Sequence, residues 1–164
     1  MNNTSELSNP QLIIEIKKCL QEIHEGKFIG RKEWTDAFKV GLKKIGIDNK
    51  FKVYPNPDNK DGEWLVDLCW SIEGDDWKEE FKGLKLACEI EWNRSVDDIL
   101  FDFQKLTVID SEIRLMIFQF NSEKEFEDIM AAIIKASKHS QQKGNRYIIV
   151  GTGNNESNIR IFEW

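Results

Sequence analysis

The chain has little of several things that would narrow its class at once. Its three cysteines, Cys19, Cys69 and Cys88, show no C-x-x-C spacing and all lie in apolar runs, which leaves them as reduced core residues. No apolar run approaches the length needed to cross a bilayer, and nothing at the N-terminus has the charged and apolar regions of a signal peptide. The expectation is therefore no membrane association and a cytoplasmic location. No excess of basic residues exists either: the net charge is −6, unlike a general nucleic-acid binder, whose phosphate contacts rely on Lys and Arg. The glycine-rich turn GTGNN at 151–155 has no Gly-Lys-Ser/Thr continuation, which argues against a phosphate loop. No internal repeat is visible.

What is present points to one packed globule. The 164 residues suffice for a single domain, 1–164, with a real core, while 1–9 form a polar, disordered tail. Six tryptophans and ten phenylalanines supply that core, and a 32% charged fraction covers the surface. Local basic clusters survive the acidic total at Lys27, Arg31 and Lys32, then Lys39, Lys43 and Lys44, although each taken alone reads as a solvated helix face.

Two runs carry the chemistry. In Leu84–Trp92, strand alternation puts Leu84, Leu86, Cys88, Ile90 and Trp92 on one face and Lys85, Ala87, Glu89 and Glu91 on the other. In Glu63–Ile72, the same alternation puts Asp67 in an otherwise strongly apolar strand. A carboxylate there is costly unless it is paired or binds a metal. If the runs are neighbouring strands, Asp67, Glu89 and Glu91 converge, and converging carboxylates suit a hard divalent cation such as Mg²⁺.

This pattern resembles the PD-(D/E)xK nuclease superfamily, the restriction-endonuclease-like fold, whose signature is an Asp on one strand and Glu-x-Lys on the next. Here the positions read Asp67 and Glu89-Ile90-Glu91, so a glutamate stands in place of the lysine, as in a minority of restriction enzymes. The resemblance implies that Asp67, Glu89 and the Ile90 carbonyl hold Mg²⁺ or Mn²⁺. It also implies that Glu91 or Lys85 positions and deprotonates a water, and that Glu33, on the helix before the first core strand, adds an acidic group. Some members carry the catalytic lysine on the following helix, which makes Lys105 a substitute. Helical geometry puts Lys105 nearly opposite the centre of its packing stripe, so Lys85 is preferred.

The order of elements agrees with that resemblance over most of residues 31–151. A helix is expected over about 10–25 with Asn9 as its N-cap, and a second after Gly30 with Trp34, Phe38, Leu42 and Ile45 on one stripe and Gly46 as its stop. Strands are expected at 51–54, 63–72 and 84–92, with an acidic connection over 73–83 holding Trp77 and Phe81. A helix opening at Ser95 packs through Ile99, Leu100, Phe103 and Leu106. Then follow a strand at 113–120, a helix from Glu123 to about Gln142, and strands at 147–150 and 159–164. The first three strands read as an antiparallel meander and the later crossovers as parallel. The fold class is thus α/β, a mixed sheet flanked by helices around a restriction-endonuclease-like core.

Two functions follow. The first is a metal-dependent phosphodiesterase acting on DNA. The second is a non-catalytic interaction protein, an immunity, regulatory or partner-binding subunit on a degenerate nuclease fold. The missing lysine, the acidic charge and tryptophans expected at the surface (Trp77, Trp92, Trp164) fit the second, but the first ranks ahead of it by a narrow margin. A protein partner and a homodimer stay open beside DNA.

Overall fold

The computed structural model describes residues 8–26, 28, 30–55, 65–74, 80–138, 146–153 and 159–164. Helices α1 (Asn9–His24) and α2 (Arg31–Asp48) precede strands β1 (Lys52–Tyr54), β2 (Leu68–Glu73) and β3 (Phe81–Glu91). Helix α3 (Val96–Val108), β4 (Ser111–Phe120), α4 (Glu123–Ser137), β5 (Arg146–Gly153) and β6 (Ile159–Glu163) complete the described chain. No described helix is long and apolar enough to cross a membrane.

The six strands form one mixed sheet in sequence order, β1-β2-β3-β4-β5-β6. β1, β2 and β3 are an antiparallel meander; β3, β4 and β5 run parallel; β6 returns antiparallel. The two parallel steps are those spanned by α3 and α4, because a parallel neighbour needs a crossover long enough to bring the chain back to the starting edge.

Both faces of the sheet are covered. Leu68, Trp70, Leu86, Cys88, Ile90, Ile113, Leu115 and Ile117 pack against Leu12, Ile16 and Leu20 of α1 and Phe38 and Leu42 of α2. On the other face Cys69, Ala87, Met116 and Phe118 meet Ile99, Phe103 and Leu106 of α3 and Phe126, Ile129 and Ile133 of α4. Central strands buried on both sides read as nearly continuous apolar runs, as β4 does. The consequence for β3 is decisive: its carboxylate face is not an open surface but lies under α3.

Several boundaries differ from the sequence expectation for local reasons. The N-cap of α1 is Ser8, whose N–H and Oγ–H both donate to Gln11 Oε1, at 3.0 and 2.9 Å. Asn9 instead donates to Glu112 at 2.8 Å and so ties the helix start to β4. Gly46 does not stop α2, which runs two residues further to Asp48. A Cβ at Gly46 would stand 2.7 Å from Val53 and 2.8 Å from the Trp70 indole nitrogen, so the glycine serves close packing against the fully buried Trp70. β3 begins at Phe81, inside what reads as a connection. Of the expected tail 1–9, Ser8 and Asn9 open α1, while residues 1–7, Glu63, Trp64 and Trp77, the end of the fourth helix beyond residue 138 and residues 154–155 of the glycine-rich turn lie outside the described residues.

Candidate active site

Asp67 immediately precedes β2, where residues 65–67 form a bend rather than ladder. Free of the pleat, its carboxylate lies against the edge of β3. Oδ2 accepts the Ile90 N–H at 2.9 Å, and Oδ1 accepts Lys39 Nζ of α2 at 3.3 Å. Asp67 is thus held from the α1/α2 side of the sheet.

Glu89 is held from the other side. Its side chain is 2% exposed, and its Oε1 stands 2.7 Å from Lys105 Nζ of α3. Lys105 is the partner of an oxygen that burial otherwise cuts off from water. Burial, followed by the nearby charges of Asp67 and Asp102, raises the Glu89 carboxyl from 4.5 to about 8 against the lowering effect of Lys105. The same two carboxylates flank Cys88, whose thiol burial pushes well above its ordinary value, with Asp67 and Glu89 adding to the shift. It is no nucleophile.

Helix α3 contributes more than Lys105. Its N-cap Ser95 accepts the Asp98 N–H, and the helix then aligns Asp98, Asp102 and Lys105 at i, i+4 and i+7 along one flank. Lys105 bridges to Asp102 at 2.8 Å as well as to Glu89. Glu91, at the end of β3, accepts the Asn93 N–H and also meets Asp102. Burial first, then the hydrogen bond that protonated Glu91 donates to Asp102 and the charges of Asp102 and Asp98, raise the Glu91 carboxyl. Asn93 Nδ2 donates to Asp98 Oδ2 at 2.6 Å and closes this rim.

The preference for Lys85 over Lys105 as the neighbour of the carboxylates is reversed. Cys69 pairs with Ala87 and Trp70 with Leu86, but Ser71 pairs with Leu84, leaving Lys85 as the extra residue of a bulge. Below the bulge the alternation changes hand: Leu84 joins the α3/α4 core with Ala87. Lys85 lies in the opposite layer, 5.8 Å from the Phe51 ring centroid and 2.9 Å from Glu112. Lys105, off the centre of its helical stripe, still reaches Glu89 because a four-carbon stem can run along an apolar flank to place its ammonium.

Glu33 is exposed in the first turn of α2. Lys39, six residues on, is the α2 side chain that reaches Asp67. Trp92, expected at the surface, is half-buried against the α1/α2 core and donates from its indole to Thr35 at 2.6 Å, whereas Trp164 is 42% exposed.

Among the described residues no three His, Cys, Asp or Glu side chains stand together in a geometry that would hold a metal ion. Asp67 and Glu89 are each neutralised by a lysine from a different helix. The donor chemistry nonetheless suits a hard cation, since the groups are carboxylates. No family model, no curated protein and no solved structure matches the chain.

Proposed function

We propose that the chain is a metal-dependent phosphodiesterase acting on DNA, on a restriction-endonuclease-like core. The observation that carries this reading is Glu89: a carboxylate 2% exposed, near Asp67 and Asp102, with the Lys105 ammonium 2.7 Å away. Such an arrangement costs folding stability, and buried carboxyls with strongly shifted pKa values cluster at functional sites. The element order, an antiparallel three-strand meander followed by a helix and a parallel strand, supports the resemblance that Asp67 and Glu89-Ile90-Glu91 suggest.

Asp67, Glu89 and the Ile90 carbonyl would hold Mg²⁺ or Mn²⁺, which when bound polarises a phosphate and lowers the pKa of water. Lys105 would place a positive charge beside the phosphate once Glu89 turns to the cation, with Asp102 keeping its ammonium oriented. Glu91, at the end of β3 beside Asp102, is placed to take a proton from an attacking water. Lys39 holds Asp67 aimed at the Ile90 amide.

A second reading is favoured by a specific observation. Both Asp67 oxygens are already engaged, by Ile90 and Lys39, and Lys105 already bridges Glu89 to Asp102. A network closed in this way fits a degenerate nuclease fold that binds a protein partner, since a fold alone does not secure activity. Incubating single-stranded, duplex and branched DNA with the protein and Mg²⁺ or Mn²⁺ tests between them. Metal-dependent cleavage supports the enzyme; no cleavage, no cation binding and a stable co-purifying protein support the partner-binding subunit.

A further inference from the structure

Arg114 of β4 is fully buried on the α3/α4 side of the sheet, where Ala87 is its neighbour on β3. Its Nε donates to the Leu106 carbonyl at 2.6 Å and its Nη2 to the Ile109 carbonyl at 2.7 Å. Those carbonyls belong to the last turn and the C-cap of α3, the negative end of that helix, so a guanidinium there makes charge-assisted bonds along the axis. The guanidinium carbon lies 5.4 Å from the Tyr147 ring centroid, and the same ring packs 5.5 Å from Phe103 of α3. Ile109 N–H in turn donates to the Lys105 carbonyl at 3.2 Å. Arg114 thus grips both the residue that follows Lys105 and the residue that caps Lys105's own carbonyl.

We propose that Arg114 is a positioning residue for the candidate site: its fork fixes the last turn of α3 along and around the helix axis, so that Lys105 stands between Glu89 and Asp102. The inference deepens the phosphodiesterase reading and rests on it for what Lys105 does there. The apolar contacts of α3, through Ile99, Phe103 and Leu106, are non-directional and resist separation from the sheet more than they resist a small roll or slide. Lys105 lies off the centre of that stripe, so its 2.7 Å approach to Glu89 and 2.8 Å approach to Asp102 depend on how the helix is rotated. Two directional bonds from one rigid plane fix that rotation. A buried guanidinium is costly, and an apolar side chain of similar volume would fill the space without that cost. Such a side chain would not hold the two carbonyls in place, which is what the charged group adds.

The test uses the full chain with Arg114→Met and with Arg114→Lys, which keeps the buried charge but lacks the planar fork. Acylation of lysine amines by acetic anhydride, followed residue by residue by mass spectrometry, reports whether Lys105 is still held in its ion pairs. Loss of the fork is expected to raise the rate at Lys105 by about fivefold or more, the scale of coupling within one network, and to leave Lys85, buried in the opposite layer, unchanged. Equal rises at both lysines would mean general loosening, and no rise at Lys105 would mean that α3 keeps its place without Arg114; either result overturns the proposal. Cleavage gives the second readout. Both variants are expected to lose about tenfold to a hundredfold in kcat, the scale of a misplaced group, with KM within a few-fold of wild type. Because Arg114 acts through Lys105, Arg114→Met is expected to lower kcat no further in a Lys105→Met background, and additive losses overturn the proposal as well. If Arg114→Met fails to fold, Arg114→Lys carries each comparison. Absence of cleavage by the wild type would sink the phosphodiesterase reading while the labelling still decides whether Arg114 places Lys105; cleavage with unmoved labelling would do the reverse.

Discussion

Glu89 is buried where water cannot solvate its charge, and its behaviour with pH follows from that. Its carboxyl titrates near 8 in the folded protein and near 4.5 when exposed. Between those values the folded state holds a proton that the unfolded state has released, so the stability this group adds is full below about 4.5 and is lost as pH rises towards and through 8. The slope is at most about 1.4 kcal/mol per pH unit. Glu89→Gln is expected to flatten that part of the stability curve, which denaturant melts from pH 5 to about 9 would show; an unchanged slope would mean that Glu89 is already ionised throughout. The two lysines separate in the same manner. Under the proposed function, Lys105→Met is expected to lower cleavage by at least about a hundredfold, the scale of losing a charged group aimed at a transition state. Lys85→Met, which strips a partner from Glu112 in the opposite layer, is expected to keep cleavage within a few-fold while lowering the melting temperature. The reverse ranking in kcat would reinstate Lys85.

At the level of elements, hydrophobic periodicity made most of the fold legible. The stripe of Trp34, Phe38, Leu42 and Ile45 does face the core, with Phe38 and Leu42 fully buried and Trp34 and Ile45 packed against them. Phe38 lies between Trp34 and Trp92, at ring separations of 5.7 and 6.2 Å, so Phe38→Ala is expected to cost about 3 to 5 kcal/mol in denaturant melts. What remained illegible has local causes. A bulge adds one residue without leaving a sequence mark, so Lys85 could be placed on the carboxylate face only by assuming an unbroken ladder. Gly46 carries the residue type of a helix stop, yet it answers to Trp70 from a strand distant in sequence. Gly46→Ala, though favourable for helix propensity by about 1 kcal/mol, is therefore expected to destabilise by about 1 to 3 kcal/mol, because backbone and buried indole cannot both yield. A gain in stability would show that Trp70 can move. The Asp98, Asp102 and Lys105 flank shows in the sequence as i, i+4, i+7 spacing, but helical angle alone does not reveal how far a lysine at the edge of a stripe reaches.

For the whole molecule, the sheet is a platform whose two helical layers each send a lysine to one carboxylate at the ends of β2 and β3: Lys39 from α2 to Asp67, and Lys105 from α3 to Glu89. These two carboxylates and their lysines form the charged cluster of the molecule's candidate site. The central claim is that this cluster is a catalytic site and not merely a satisfied ion network. Asp67 decides it, because its carboxylate is 22% exposed and its removal leaves no large cavity. The measurement is cleavage of DNA by wild type and Asp67→Ala at matched concentration in Mg²⁺ and in Mn²⁺, with a thermal melt of each. The account predicts metal-dependent cleavage by the wild type and its loss in Asp67→Ala, which still unfolds cooperatively. Cleavage at the full rate by the folded variant, or none by the wild type with either cation, would contradict it.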